Sequence, residues 1–329
     1  MQILWRRRSR AQLYLLTSLL VILGGGLALC QEPIHVAVNL VNVAFSVRDA
    51  RGALLDDLSK EDIEVFEDAV PQKISHFAKS TDVPLTLGLI VDVSGSQDHF
   101  SKQHEKDLEV FLKEVLGLKD RAFLVTFGNH IRLISDFSPS GTEIIERMQE
   151  YQGRDKGKDK RKGRHGPFPE LGPVENRDLG TAFYDSIYYS VVEKLARESG
   201  RRALLLFSDG EDNSSSHDMM TTIETAQAEN VVVYAIRYTE KEHGQLTARN
   251  KYGTSVMDRI AKETGGAHID AAATDPHTYF RRIAEELRTS YELAYYPTNT
   301  EKDEMFRKIV IRPKRAGVKV RTKTGYFTR

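Results

Sequence analysis

The sequence predicts an α/β fold: a doubly wound, mostly parallel sheet inserted in a small β-sandwich-like domain. Three observations predict it. Amphipathic segments, typical of helices packed on a sheet, lie around residues 108–115 and 187–195. β-like segments at both ends of the chain predict the sandwich. Almost purely apolar runs, typical of parallel strands buried on both faces, occupy residues 85–91, 122–125, 203–207 and 231–236.

Residues 1–30 have the pattern of an export signal. Four arginines between positions 6 and 10 precede an apolar run over residues 13–30 that ends in small residues. Cleavage after Ala28 or Cys30 fits this pattern, whereas lipidation of Cys30 is disfavoured by Leu29, where a small residue is wanted. The run is just long enough to cross a bilayer, so an uncleaved anchor through residues 13–30 stays open. In either case the rest of the chain would face outward.

The segments 31–80 and 289–329 are expected to fold together. From residue 34 to 77, apolar residues recur at alternate positions in short runs between polar turns. After residue 290, further strands are predicted over residues 291–296, 306–311 and 318–324. Since neither end segment is long enough to form a core by itself, we expect the two to pair into the β-sandwich-like domain.

Residues 153–177 form a long insertion in the predicted α/β domain. Between residues 154 and 165 there are seven basic and two acidic residues, a local net charge of plus five. Because the insertion directly precedes Thr181, it could attract an acidic partner or an anionic surface to that end of the sheet. A flexible, solvated loop is the alternative.

The composition excludes several classes of protein. The chain has 329 residues, of which 40% are hydrophobic, enough for about two domains with a packed core. Basic and acidic residues are equal, at 47 each, which argues against a nucleic-acid-binding protein. The single cysteine, Cys30, permits no intrachain disulfide and no multi-cysteine metal site. An exported chain of this size without disulfides suggests a bacterial envelope protein, whether periplasmic, envelope-associated or extracellular.

Oxygen-bearing side chains follow the predicted strands at their carboxyl ends. Asp92, Ser94 and Ser96 come after the first apolar run, Asp209 follows the third, and Thr181 precedes a helix between them. Ligands of open α/β sheets bind outside the carboxyl ends of the strands, so we expect these side chains to converge. Two carboxylates and three hydroxyls are hard oxygen ligands with few charges, which suits Mg²⁺ or Mn²⁺ better than zinc.

This combination of residues resembles the metal-ion-dependent adhesion site (MIDAS) of the von Willebrand factor A (VWA) domain. The likeness extends over about residues 85–288, within a domain expected to span residues 81–288. The flanks, notably residues 295–299 and 325–327, resemble the exported bacterial VWFA-related domain family.

The resemblance implies a role for each site residue. Ser94, Ser96 and Thr181 would contact the cation directly. Asp92 and Asp209 would act largely through water. An acidic side chain from a protein partner would take the remaining coordination position.

Neighbouring polar residues have other expected roles. Gln97 stands where family members often have methionine, with little expected consequence. Asp98 is expected to be a solvated residue at a helix start, with a second cation site as the alternative. Asp185 is expected to cap or hydrogen-bond, and residues 212–216 to form a polar rim. Taken alone, the Asp-x-Ser-x-Ser pattern has a second interpretation, a helix N-cap.

Enzyme classes fit the sequence poorly. It has no G-x-S-x-G elbow, no H-E-x-x-H helix and no phosphate-binding P-loop. A haloacid-dehalogenase-type phosphatase would need a second acid where Ser94 stands, and His268 is expected at a strand edge. We therefore predict a non-enzymatic, exported, cation-dependent binding module of the adhesion type. The alternatives are an envelope structural or assembly factor with an internally satisfied metal site, and a metal-dependent phosphatase or hydrolase.

Overall fold

A computed structural model of the chain describes residues 40–80, 83–156, 168–173, 180–240 and 242–328, without the side chains of residues 154–156. All described residues lie in one unit, Asn39–Arg329. The predicted export signal and the basic stretch of the insertion lie outside the described residues. Within these ranges, no helix is both long enough and apolar enough to span a bilayer.

The chain begins and ends in strands and alternates strand and helix between them. The strands are β1 (Val41–Arg48), β2 (Ile63–Glu67), β3 (Val70–Gln72), β4 (Ile74–Ser80), β5 (Leu85–Asp92), β6 (Arg121–Phe127), β7 (Ile131–Ser138), β8 (Arg201–Ser208), β9 (Val231–Arg237), β10 (His268–Asp270), β11 (Ser290–Tyr295), β12 (Phe306–Pro313), β13 (Lys319–Thr322) and β14 (Gly325–Phe327). The helices are α1 (Ser101–Val115), α2 (Gly141–Lys156), α3 (Phe183–Tyr189), α4 (Met219–Ala228), α5 (Ala248–Thr264) and α6 (Pro276–Arg288). Short 3₁₀ turns span Lys60–Asp62 and Gly95–Phe100, and α3 continues as a π-helix over Ser190–Leu195.

The central sheet has the strand order β10-β9-β8-β5-β6-β7. All neighbouring pairs are parallel except β6 and β7. Every residue of β5 and of β9 is buried, because helices cover both faces. Helices α1, α2 and α6 pack on one face, and α3, α4 and α5 pack on the other. The predicted doubly wound sheet is therefore confirmed.

For two strands of this sheet the sequence predicted no residue range. Strand β7 pairs antiparallel with β6, and only part of it is buried, so its apolar residues form no continuous run. Strand β10 is short and lies at the opposite edge, where its residues are only half-buried. His268 begins this edge strand, as expected from the sequence.

The two ends of the chain form two four-stranded antiparallel sheets, ordered β13-β1-β11-β4 and β14-β12-β2-β3. Each sheet mixes strands from both ends: Val43 lies opposite Leu293 in the first, and Ile311 lies opposite Val65 in the second. Buried side chains from both sheets form one apolar cluster that includes Phe45. This arrangement confirms the predicted β-sandwich, since neither end segment has a complete sheet by itself.

A buried polar contact joins the sandwich to helix α6. The carboxylate of Glu286 accepts hydrogen bonds from Ser46 Oγ (3.0 Å), Arg48 (3.0 Å) and Arg321 (2.7 Å). Ser46 and Arg48 belong to β1 and Arg321 to β13, so one carboxylate of the central domain is held by two strands of the sandwich. Removing the Glu286 carboxylate would leave both arginines without this charge partner.

Candidate metal centre

The strand order places a crevice at the carboxyl end of β5. This strand lies between β6 and β8, and the chain runs from β5 to β6 on one side and later returns to β8 on the other. Such a reversal separates the loops that leave neighbouring strands and opens a binding crevice between them. Asp92 is the last residue of β5, and Asp209 directly follows β8.

The loop after β5 folds back on its own carboxylate. The backbone N–H of Ser94 donates to Asp92 Oδ1 (2.9 Å), an Asx-type turn. Ser94 occupies the N-cap position of the 3₁₀ turn, but its side chain makes no capping hydrogen bond there. Its Oγ instead lies 3.2 Å from Ser96 Oγ. Ser94 is therefore at the N-cap position without capping the turn through its side chain, and its hydroxyl lies beside that of Ser96.

The loop after β8 brings the second carboxylate to the same place. Asp209 is only 4% exposed, and its Oδ2 accepts hydrogen bonds from Ser96 Oγ (2.7 Å) and Gln97 Nε2 (2.8 Å). Its Oδ1 accepts from the backbone N–H of Glu211 (3.1 Å). Gly210 has φ +79°, a left-handed conformation that favours glycine and turns the loop.

Thr181 is held by the loop that follows Asp209. Its backbone N–H donates to Asn213 Oδ1 (2.6 Å), and its carbonyl accepts from the backbone N–H of Asn213 (3.1 Å). Thr181 is 7% exposed and lines a cleft of about 500 Å³ together with Ser94 and Ser96. The three hydroxyl residues thus line the cleft, whereas neither aspartate is among its lining residues.

Burial and charge repulsion raise the pKa of one of the two carboxylates at the site. Asp92 is 1% exposed, and burial together with the neighbouring Asp209 carboxylate raises the pKa of Asp92 to about 7. Hydrogen bonds from Ser208 Oγ (2.6 Å) and from Ser94 oppose this rise. A divalent ion beside the two carboxylates would remove the repulsion that raises this pKa.

The oxygen spacing fits a small octahedral cation. Mg²⁺ binds oxygen at about 2.1 Å, so neighbouring ligands of an octahedron lie about 3.0 Å apart. The two serine hydroxyls, which would both be direct ligands, lie 3.2 Å apart, close to that value. Within the described ranges, no cluster of three or more His, Cys, Asp or Glu side chains could hold a metal. A cation here would therefore depend on the hydroxyl ligands.

Gln97 has a larger role than the sequence suggested. Its side chain is 2% exposed, and its Nε2 donates both to Asp209 Oδ2 and to the carbonyl of Tyr238 (3.3 Å). The residue thus ties the Asp209 carboxylate to the chain beyond β9.

Ser208 was also missed: its hydroxyl donates to Asp92 and accepts from the backbone N–H of Gly210 (3.0 Å). The signal that could have revealed Ser208 is its position directly before Asp209 at the end of an apolar run.

Asp98 and Asp185 lie near the site and have the roles expected from the sequence. Asp98 is exposed on the 3₁₀ turn, in agreement with a solvated position. The buried carboxylate of Asp185 accepts hydrogen bonds from the backbone N–H groups of Ser216 (2.9 Å) and His217 (3.0 Å), which confirms its hydrogen-bonding role. The rim loop is therefore anchored to α3, and through Asn213 it holds Thr181.

The described end of the insertion lies beside the cleft. The backbone N–H of Leu171 donates to the carbonyl of Ile131 (3.0 Å), so residues 168–171 run along β7. Glu170 pairs there with His130 (3.2 Å) and Arg132 (3.5 Å), both of which line the cleft. This part of the insertion is thus docked at the edge of the candidate site.

Several solved structures resemble this chain at low identity. An aerotolerance-related membrane protein from Bacteroides fragilis is 12% identical, with a TM-score of 0.44 over 62% of this chain and 98% of that chain. Proximal thread matrix protein 1 from the mussel byssus, solved with a zinc-occupied MIDAS motif, is 15% identical, with a TM-score of 0.43 over 66% of this chain and 49% of that chain. The SpRpn10 VWA domain is 13% identical, with a TM-score of 0.38 over 60% of this chain and 93% of that chain. No family model and no curated protein matches the sequence.

These values describe only a similarity of backbone trace. The fold is therefore argued from the strand order and the loops of this chain. A mostly parallel sheet carries β5 at its switch point and one antiparallel edge strand, β7. The Asp-x-Ser-x-Ser loop, the threonine loop and the second aspartate loop all reach the crevice beside β5. The part of the chain from β5 to α6 therefore has the fold of a von Willebrand factor A domain.

Proposed function

We propose that this protein is an exported module that binds a protein partner through a divalent cation, Mg²⁺ or Mn²⁺. Ser94, Ser96 and Thr181 would hold the ion directly, with Asp92 and Asp209 acting largely through water. The observation that carries the proposal is a cleft lined by three hydroxyl residues and backed by two buried carboxylates. An acidic side chain of the partner completes the coordination.

The chain's own residues favour an acidic ligand at this cleft. Neutral hydroxyl ligands leave much of the ion's positive charge available to a carboxylate from outside. Cationic side chains at the rim add to this: Arg132 and Arg249 line the cleft. Each has an acidic neighbour, Glu170 for Arg132 and Glu211 for Arg249, which offsets part of its charge, so the ion would supply most of the attraction.

The choice between binding and catalysis depends on whether a base lies within reach of a water molecule at the cleft. Hydrolysis of an ester or phosphoester needs a base within hydrogen-bonding reach of the attacking water. His130 lines the cleft, but its Nδ1 lies 3.2 Å from Glu170 at the rim. Asp92 lies beneath the hydroxyls and is hydrogen-bonded to Ser94 and Ser208.

The proposal is tested by affinity capture from an envelope extract, with Mg²⁺ in one arm and EDTA in the other. We expect partners that are retained with Mg²⁺, released by EDTA, and lost with Ser94→Ala or Asp209→Ala. Asp98→Ala is the matched control, because Asp98 is exposed on the turn that follows Ser94. A partner set that is identical in both arms would overturn the adhesion role.

The same variants separate the alternatives. Unchanged capture by Ser94→Ala and Asp209→Ala, with a lower unfolding temperature, would favour a structural or assembly factor whose metal site is satisfied internally. Turnover of a model phosphoester that is abolished by Asp92→Asn would favour a hydrolase.

A further inference from the structure

A second cleft lies between the central domain and the β-sandwich. It encloses about 520 Å³, and none of its lining residues lines the cleft at Ser94. Four arginines line it: Arg48 on β1, Arg51 in the turn after β1, Arg282 on α6 and Arg321 on β13. We call this the arginine cleft.

The arginine cleft has an excess of positive charge. Its lining includes two carboxylates, Glu286 and Asp270. Glu286 is shared between Arg48 and Arg321, and Asp270 is held by Arg237, which is not a lining residue. Within the described part of the chain, Arg51 and Arg282 form no ion pair. The cleft therefore presents guanidinium groups in excess of its carboxylates.

Two buried polar atoms at the cleft also need partners. The hydroxyl of Tyr234 and Nε2 of His268 are buried and make no hydrogen bond to any described residue. Both residues line the cleft, and Tyr234 is only 1% exposed. Burial raises the pKa of Tyr234, so the hydroxyl keeps its proton and needs an acceptor. Since buried polar groups almost always find a partner, the Tyr234 hydroxyl indicates a ligand that brings an acceptor oxygen.

We propose that the arginine cleft binds a small molecule through an anionic oxygen group, either a phosphate or a carboxylate. Guanidinium groups form bidentate hydrogen bonds with phosphates and with carboxylates, and Arg51 and Arg282 are available to form them. The Tyr234 hydroxyl, which has no hydrogen-bond partner among the described residues, is the buried donor available to such a group. The volume lies within the range of small-molecule sites, so the ligand can be larger than the anionic group itself.

Isothermal titration of the full chain with inorganic phosphate and, separately, with succinate tests this proposal. Both titrations are carried out in EDTA at constant ionic strength, so that no anion can bind through a divalent ion at Ser94. We expect saturable binding of at least one anion, weakened about tenfold by Arg282→Gln. Tyr234→Phe should weaken it about fivefold, because that change removes one donor and keeps the ring.

Arg281→Gln is the matched control, since Arg281 is an exposed neighbour on the same helix that does not line the cleft. Arg281→Gln should leave the anion affinity unchanged, and Arg282→Gln should leave the unfolding temperature unchanged because Arg282 is exposed.

Binding of phosphate alone identifies a phosphorylated ligand, and binding of succinate alone identifies a carboxylate. No saturable binding of either anion, or equal weakening by Arg281→Gln and Arg282→Gln, would overturn the proposal. Mg²⁺ binding by Arg282→Gln should be normal, which separates this site from the proposed adhesion function.

Discussion

Asp92 should make metal binding depend on pH. Its pKa of about 7 means that the carboxylate is half protonated near neutral pH when no cation is present. Because the cation favours the ionised carboxylate, protons compete with the metal below that value. We expect the Mg²⁺ affinity to fall about tenfold for each pH unit below about 7, measured by titration calorimetry between about pH 5 and 8. An affinity that is constant over this range would contradict the prediction.

The free energy of unfolding of the metal-free protein should show the corresponding dependence. The pKa of Asp92 is raised in the folded chain from its ordinary value of 3.8 to about 7, so the folded chain holds more protons than the unfolded chain between these two values. The contribution of Asp92 to stability therefore falls as the pH rises from 3.8 to about 7. Urea unfolding in EDTA measures this slope, and Asp92→Asn, which stays neutral, should make it shallower.

Gln97 should stabilise the aspartate loop. In Gln97→Leu, Asp209 Oδ2 loses one of its two side-chain donors while the volume of residue 97 is nearly kept. We expect the free energy of unfolding in EDTA to decrease by about 1–3 kcal/mol. The exposed Asp98→Ala should change it by less than about 0.5 kcal/mol. Equal effects of the two substitutions would show that the hydrogen bond to Asp209 contributes nothing.

Among the elements, helix α5 positions the Asp209 loop by close backbone packing. A Cβ atom at Gly253 would overlap the carbonyl oxygen of Asp209, so only glycine lets the helix approach the loop this closely. In an ordinary helix interior, replacing glycine by alanine is stabilising by about 0.5–1 kcal/mol. We expect the opposite here: Gly253→Ala should lower stability by about 1–3 kcal/mol and weaken Mg²⁺ binding, because the loop must move.

The control for this prediction lies on the same helix. Ser255 is exposed, so Ser255→Ala should be neutral or slightly stabilising and leave Mg²⁺ binding unchanged. Thermal unfolding and calorimetric titration of both variants give the comparison. Gly253→Ala with wild-type stability and affinity would show that the helix can withdraw without affecting the site.

At the scale of the whole molecule, the sandwich needs both ends of the chain. Strand β11 lies between β1 and β4, and β12 lies between β2 and β14. In a chain that lacks residues 31–80, we expect the amides of β11 and β12 to lose protection from hydrogen exchange while those of β5 and β8 keep theirs. The wild-type chain is the reference. Protected β11 and β12 amides in the shortened chain would mean that the C-terminal segment folds without its partner strands.

The elements that the sequence predicts best are those with a local signal. Strands β5, β8 and β9 are apolar at nearly every position because both faces are covered, so they appear as unbroken runs. Asp92, Ser94, Ser96 and Asp209 follow such runs, and parallel strands bring their carboxyl ends to one edge, whereas Thr181 precedes helix α3. Strand β7 has an exposed face and pairs antiparallel, so no apolar run reveals it.

The sequence by itself determined the α/β class and the oxygen-bearing residues Asp92, Ser94, Ser96, Thr181 and Asp209, because each depends on a local pattern of apolar and polar residues. It also indicated that the two β-like ends pair, because neither is long enough to form a core alone. Only the tertiary structure decided that Gln97 donates a hydrogen bond to Asp209 and that Gly253 lets α5 pack closely on the Asp209 loop. It alone also decided that arginines from β1, the turn after β1, α6 and β13 line one cleft together with Tyr234. These depend on contacts between residues distant in the chain. Such contacts exist only after the strands have paired and the helices have packed on them.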